Sequence, residues 1–68
     1  MDFVIDFEEE ADGRWIAEIH ELPGVLVYGN TKEAATTKVK VLALLVIADR
    51  LEHGEIVPSP EQIRFRAA

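Results

Sequence analysis

Three carboxylates in the first part of the sequence occupy polar positions of segments in which polar and apolar residues alternate. They are Asp6 and Glu8 in one segment and Glu18 in the next. If the two segments that carry them are neighbouring strands, the three side chains share one face of a sheet. A two-metal nuclease holds its catalytic carboxylates in such an arrangement. The same alternation is also typical of the solvated side of an antiparallel strand. Because no defined set of metal ligands accompanies the three acids, we prefer the second interpretation.

Other residues that could support catalysis are few and well separated. His20 follows a strand pattern, and His53 ends a helical pattern, where the helix dipole favours it. Ser59 is the only serine and lies between two prolines, and the sequence has no cysteine. The four glycines stand at element boundaries and not in a phosphate-binding loop. The sequence therefore predicts no catalytic residue, cofactor or metal site, and a protein that is not an enzyme.

Two strands and a turn position the carboxylates. Apolar and polar residues alternate over 3–9 and again over 15–20, which predicts two half-buried strands. A two-residue loop between them would place the aromatic ring of Phe7 beside an acid. An odd-numbered loop, with a glycine in the left-handed position, instead pairs Phe7 with Ala17 or Ile19. We favour the odd-numbered loop.

A third strand and one long helix follow. The segment 22–24 (Leu-Pro-Gly) interrupts the second strand, because proline cannot donate to a sheet ladder and glycine favours a turn. Residues 25–28 form a short third strand. From 32 to 53 the pattern is helical, and both Asn30 and Thr31 are suitable N-caps, Asn30 with the capping-box spacing.

The last third of the sequence adds one strand. Gly54 closes the helix, and the prolines bias residues 55–60 toward an extended conformation. Alternation over 63–66 predicts a fourth strand. Residues 1–68 are therefore predicted to form one α+β domain in the order β-β-β-α-β, an antiparallel sheet with one long helix packed on one face.

The middle of the helix is apolar on every side, from Val41 to Ala48. One side can cover the sheet, and a helix that is hydrophobic all round is buried on more than one side. This favours a homodimer or tetramer over a moderately apolar exposed helix. The candidate interface residues are Val41, Leu42, Leu45 and Val46.

The same apolar run is too short to span a bilayer, which needs about 20 residues. The chain opens without a secretory leader pattern. We therefore expect no membrane association and a cytoplasmic location.

Charge is unevenly distributed along the chain. Residues 1–24 hold eight acids and one base, whereas residues 25–68 hold five acids and six bases. This disfavours nucleic acid as a partner, since affinity for phosphate comes from Lys and Arg. It favours a basic protein, although acids on an exposed sheet face also serve solubility alone. The candidate partner-binding residues are Asp6, Glu8, Glu10 and Glu18.

An ordered set of short motifs resembles the HicB family of antitoxins in its small-domain form. The motifs are the strand 3–8, the Asp12-Gly13 turn with the strand after it, Leu22-Pro23-Gly24, the Gly29-Asn30-Thr31 cap with Glu33-Ala34, the helix ending at Gly54, and Pro58-Ser59-Pro60. Ala34 differs from the second Glu that is common in the family at this position. The resemblance covers about residues 3–60.

The resemblance implies a partial ribonuclease H-like layout without nuclease activity. Family members neutralise HicA, a small basic toxin that cleaves messenger RNA, by covering its catalytic histidine, and they assemble as dimers or tetramers. Many also carry a C-terminal DNA-binding segment. This sequence stops at Ala68 without one, so we expect no DNA binding by this chain alone. The alternative is a stand-alone homo-oligomeric HicB-like domain that binds another protein or ligand and has no toxin partner.

Overall fold

A computed structural model describes residues 2–55 and 60–68. Its elements, in chain order, are β1 Asp2–Glu9, β2 Trp15–Glu18, β3 Leu26–Gly29, α1 Lys32–Glu52, a 3₁₀ turn Pro60–Gln62 and β4 Arg64–Ala67. The predicted α+β class and the order β-β-β-α-β are confirmed. Most of the predicted extended segment 55–60, namely 56–59, lies outside the described residues.

The four strands form one mixed sheet in the order β3-β2-β1-β4. β2 is antiparallel to both β1 and β3, but β4 is parallel to β1. The prediction of a wholly antiparallel sheet is therefore wrong for its last strand. The physical reason is helix α1, which lies between β3 and β4 in the chain and returns it to the end of the sheet where β3 began.

The turn between β1 and β2 sets the register that places the carboxylates. Phe7 pairs with Ala17, one of the two partners that the predicted odd-numbered loop allows. The backbone N–H of Glu10 donates to the carbonyl of Arg14 at 2.7 Å, and this bond closes a three-residue loop. Gly13 has φ +89°, a left-handed conformation that glycine adopts without steric cost. The predicted strand faces follow from this one turn.

Both ends of α1 have defined caps. Thr31, not Asn30, is the N-cap: its Oγ1 accepts from the backbone N–H of Ala34 at 3.0 Å. At the other end Gly54 has φ +77°, and its N–H donates to the carbonyl of Leu51. A second bond runs from the residue after Gly54 to the carbonyl of Arg50, which completes a Schellman motif. The helix therefore ends where the sequence predicts.

The core lies between α1 and one face of the sheet. The helix contributes one buried residue every four positions, which makes a single stripe. It packs mainly on β2 and β3 and much less on β1. The buried core residues are Phe3, Ile5, Ala17, Ile19, Leu22, Val25, Ala35, Val39, Ala43 and Ile47.

Candidate protein-binding surfaces

One face of the sheet is turned away from the helix and the core. We call it the open face, and its described strand residues are Asp2, Val4, Asp6, Glu8, Ile16, Glu18, Leu26, Tyr28, Arg64 and Arg66. Side chains reach it because alternate residues of a strand point to opposite sides. Three of the four predicted partner-binding acids, Asp6, Glu8 and Glu18, share this face. The fourth, Glu10, lies beyond the end of β1, in the turn.

Asp6 and Glu18 are direct cross-strand partners, and His20 contacts both. His20 Nε2 lies 3.0 Å from Asp6 Oδ2 and 3.5 Å from Glu18 Oε1. The imidazole balances the two carboxylates when it is protonated. Among residues 2–55 and 60–68, no three His, Asp or Glu side chains are grouped so that they could hold a metal ion. The arrangement is an ion-pair cluster on an accessible sheet face.

The open face also carries positive charge that sequence reasoning did not place. Arg64 lies opposite Asp2, and Arg66 lies opposite Val4, both on the edge strand β4. The open face is therefore acidic on its two central strands and basic along one edge. The alternation over 63–66 already predicts that the two arginines face the opposite side of the strand from the apolar residues. Only the pairing of β4 with β1 shows that the arginines lie beside the acids.

An apolar area borders the acids on the opposite edge. Leu26 lies opposite Glu18, and Tyr28 lies opposite Ile16. The guanidinium carbon of Arg14 is 5.0 Å from the centre of the Tyr28 ring, a cation–π distance. Aromatic and apolar groups beside charges are typical of the surfaces that bind proteins.

Arg14 also holds the turn next to this area. Its backbone N–H donates to Asp12 Oδ1 at 3.1 Å, and its Nε donates to Asp12 Oδ2 at 2.8 Å. The backbone bond is the main cause that lowers the pKa of the Asp12 carboxyl, and the side-chain bond lowers it further. Both bonds from Arg14 therefore favour the ionised form of Asp12.

The outward side of α1 is a second candidate surface. We call the exposed apolar residues there the outer stripe: Val41, Leu44, Leu45, Ala48 and Leu51. Two of the predicted interface residues, Val41 and Leu45, belong to the outer stripe. Among the large apolar side chains of this stripe, Leu45 is the most exposed, at 62%. The other two, Leu42 and Val46, are half-buried and pack against the core. None of the described helices has the length and apolar content required to cross a membrane.

A groove opens where α1 leaves β1 and β4 uncovered. Its volume is about 330 Å³, and Phe7 and Phe65 are among the residues that line it. Lys32 Nζ lies 4.8 Å from the centre of the Phe7 ring and 5.7 Å from that of Trp15. Lys32, the first residue of α1, thus places its ammonium group over aromatic rings that the rest of the helix leaves uncovered.

Comparison with known proteins gives no match. No family model matches the chain, and neither a curated protein nor a solved structure is significantly similar to it. The resemblance to the HicB family therefore stays a prediction from the motifs.

Proposed function

We propose that the chain is an antitoxin-like binding module that neutralises a small basic toxin of the HicA type by masking its active site. The observation that carries the proposal is the set of carboxylates on the open face, Asp6, Glu8 and Glu18, on two adjacent strands. The motif resemblance supplies the class of partner. A basic ribonuclease must present cations to bind phosphate, and an acidic surface is complementary to those cations.

The charge distribution suits fast capture of such a partner. Long-range attraction between oppositely charged surfaces raises the association rate by about 10- to 1000-fold, and salt reduces the effect. The apolar groups of Leu26 and Tyr28 adjoin the acids on the same face and are 41% and 46% exposed. They supply apolar surface that would be buried in the complex and would slow its dissociation.

Three further properties follow from the proposed function. The chain acts by binding and not by catalysis. It acts in the cytoplasm, where a toxin that cleaves messenger RNA finds its substrate. It does not bind DNA by itself, because its excess charge is negative. Nanomolar binding to its own promoter in a gel shift at physiological salt would contradict the last of these.

The proposal is tested by reversing two charges of the open face. In the double variant Asp6→Lys with Glu8→Lys, association with a small basic HicA-type protein, for which the reading frame beside this chain's own is the place to search, should slow about ten-fold at low salt. Surface plasmon resonance at two salt concentrations measures the rate. Because both positions face outward, the fold should be retained, which circular dichroism verifies.

A matched control separates local from overall charge. The double variant Glu33→Lys with Glu55→Lys changes the net charge equally at exposed positions off the open face. It should slow association less than the open-face variant does. If both variants bind at the wild-type rate with the same salt dependence, the carboxylates serve solubility only and the proposed function is wrong.

The outer stripe favours a second candidate, a homo-oligomeric domain that binds another protein or ligand without a toxin partner. We propose that the chain forms a homodimer or tetramer through this stripe, since exposed apolar side chains in a continuous row mark interaction sites.

The variant Leu45→Glu should dissociate the assembly and keep the fold. Val46 is a poor choice for the same test, because its side chain packs against the core. Sedimentation equilibrium that shows a wild-type monomer at micromolar concentration would end this proposal.

A further inference from the structure

The outer stripe has the spacing of a seam between two helices. Val41, Leu44, Ala48 and Leu51 follow one another at intervals of three, four and three residues. Helices that pack lengthwise present their contacts at this repeat. The buried stripe of the same helix lies on its other side, so the outer stripe is available for a second helix.

One flank of the stripe has a charge pattern of its own. Lys38, Leu45 and Glu52 are spaced seven residues apart, so they lie almost in line along the helix. All three are exposed. This flank is therefore basic at its start, apolar at its middle and acidic at its end. A two-fold axis at the middle residue would bring each end of the flank against the opposite end of an identical helix.

We propose that the outer stripe binds the outer stripe of a second copy of this chain, with the two helices antiparallel and the two-fold axis at Leu45. This rests on the homo-oligomer proposed above and adds its direction and register. In such an isologous contact each pairing occurs twice. Lys38 of each copy meets Glu52 of the other, and the two Leu45 side chains meet at the axis. A parallel pair would leave the like-charged ends at the same level.

The ammonium group of Lys38 keeps hydrogen-bond donors available for this contact. Its Nζ lies 3.2 Å from the carbonyl oxygen of Tyr28, on the edge strand β3. That bond uses one of the three N–H donors of the ammonium group. Another donor remains for a carboxylate of the second copy, and the bond to β3 holds the side chain at the flank where the second helix would pack.

Single cysteines test the direction, because the chain has none of its own. With the axis at residue 45, the two copies of residue 41 lie about 12 Å apart along the helix, at about 1.5 Å per residue. A disulfide needs Cα atoms within about 7 Å. Leu45→Cys should therefore cross-link to itself, and Val41→Cys should not. A mixture of Val41→Cys and Ala48→Cys should give mixed dimers, identified by intact mass.

The possible outcomes separate this inference from the homo-oligomer itself. Efficient self-linking of Val41→Cys would show a parallel pair, so the antiparallel register would be wrong while the oligomer stands. A dimer by sedimentation in which neither Leu45→Cys nor the mixture cross-links would place the interface elsewhere, and the proposed register would again be wrong. A monomer at all concentrations would overturn both the register and the oligomer.

A charge exchange tests the register independently. Lys38→Glu or Glu52→Lys alone should weaken dimerisation about three- to thirty-fold, because two exposed ion pairs are lost in each case. The double variant Lys38→Glu with Glu52→Lys should restore most of the affinity. If it binds no more tightly than the single variants, these two residues do not meet and the register is wrong.

Discussion

Asp6 and Glu18 lie directly opposite each other on neighbouring strands, and both side chains are partly buried. Like charges in this position are unfavourable for a sheet. His20 contacts both carboxylates, and its imidazole offsets their repulsion when it is protonated. Local features that oppose stability are concentrated at functional sites in natural proteins. The pair therefore agrees with the proposal that the open face binds a basic partner.

The variant Glu18→Lys should stabilise the fold. It replaces a repulsive cross-strand pair by an attractive one, and the expected gain is about 0.2–1 kcal/mol in the free energy of unfolding. Urea denaturation measures it. At the same time the variant should slow association with a basic partner, because an acid of the open face is lost.

Glu8→Lys is the matched control for stability. Glu8 is on the same face of the same sheet but lies opposite Ile16, not opposite an acid. It should therefore give less stabilisation. An equal gain in both variants would mean that relief of the overall negative charge, and not the cross-strand pair, is responsible.

The first two strands were predictable in position and in which side each residue faces, and their register was narrowed to two choices. The period of two places Phe7 on the apolar side, and only an odd-numbered loop keeps it beside Ala17. The same reasoning correctly placed three carboxylates on the other side. These features depend on residues close together in sequence, so a local pattern is sufficient to predict them.

Long-range pairing was not predictable in the same way. Nothing within the segment 63–66 shows that it pairs with β1 or in which direction, so Arg64 and Arg66 were not placed beside the acids. The all-apolar run 41–48 likewise hides which residues face the sheet. Leu44 proved exposed and Leu42 half-buried because the buried stripe begins at Ala35, outside that run.

The variant Gly29→Ala should destabilise the fold. A Cβ at Gly29 would lie 2.5 Å from the backbone nitrogen of Ala35, and neither β3 nor the first turn of α1 can yield without disturbing the core. Overpacking of this kind costs about 1–3 kcal/mol. Chemical denaturation measures the loss.

Gly13→Ala provides the comparison, because a Cβ there meets nothing within 4 Å. Its cost comes only from the positive φ and should be about 1–2 kcal/mol. If Gly29→Ala costs no more than Gly13→Ala, the close approach of helix and strand does not limit the side chain at position 29.

The carboxyl of Asp12 should titrate below the ordinary range of an aspartate. Its pKa is lowered first by the backbone N–H of Arg14 and then by the bond from the Arg14 side chain. A depressed folded-state pKa means that the stabilisation is present above the unfolded-state pKa and is lost as pH falls through the folded-state value. An NMR titration of the side chain measures it. The free energy of unfolding of Asp12→Asn should differ less from that of the wild type as pH falls through this acidic range. A difference that does not change with pH would contradict the lowered pKa of Asp12.

Arg66→Glu should have the opposite effect on partner binding from the reversal of the acids. Arg66 lies on the open face, on the strand next to Asp6 and Glu8, so its positive charge opposes the approach of a basic protein. Replacing it by Glu should speed association several-fold at low salt, and the gain should fall as salt is added. The cost to stability should be small, because the direct cross-strand neighbour, Val4, is uncharged.

Arg50→Glu is the control: it changes the net charge equally, but on the helix and away from the open face, and it should speed association less. If Arg66→Glu leaves the rate unchanged while Asp6→Lys with Glu8→Lys slows it, the partner contacts the central strands but not the β4 edge. If neither variant changes the rate, the open face is not the binding surface.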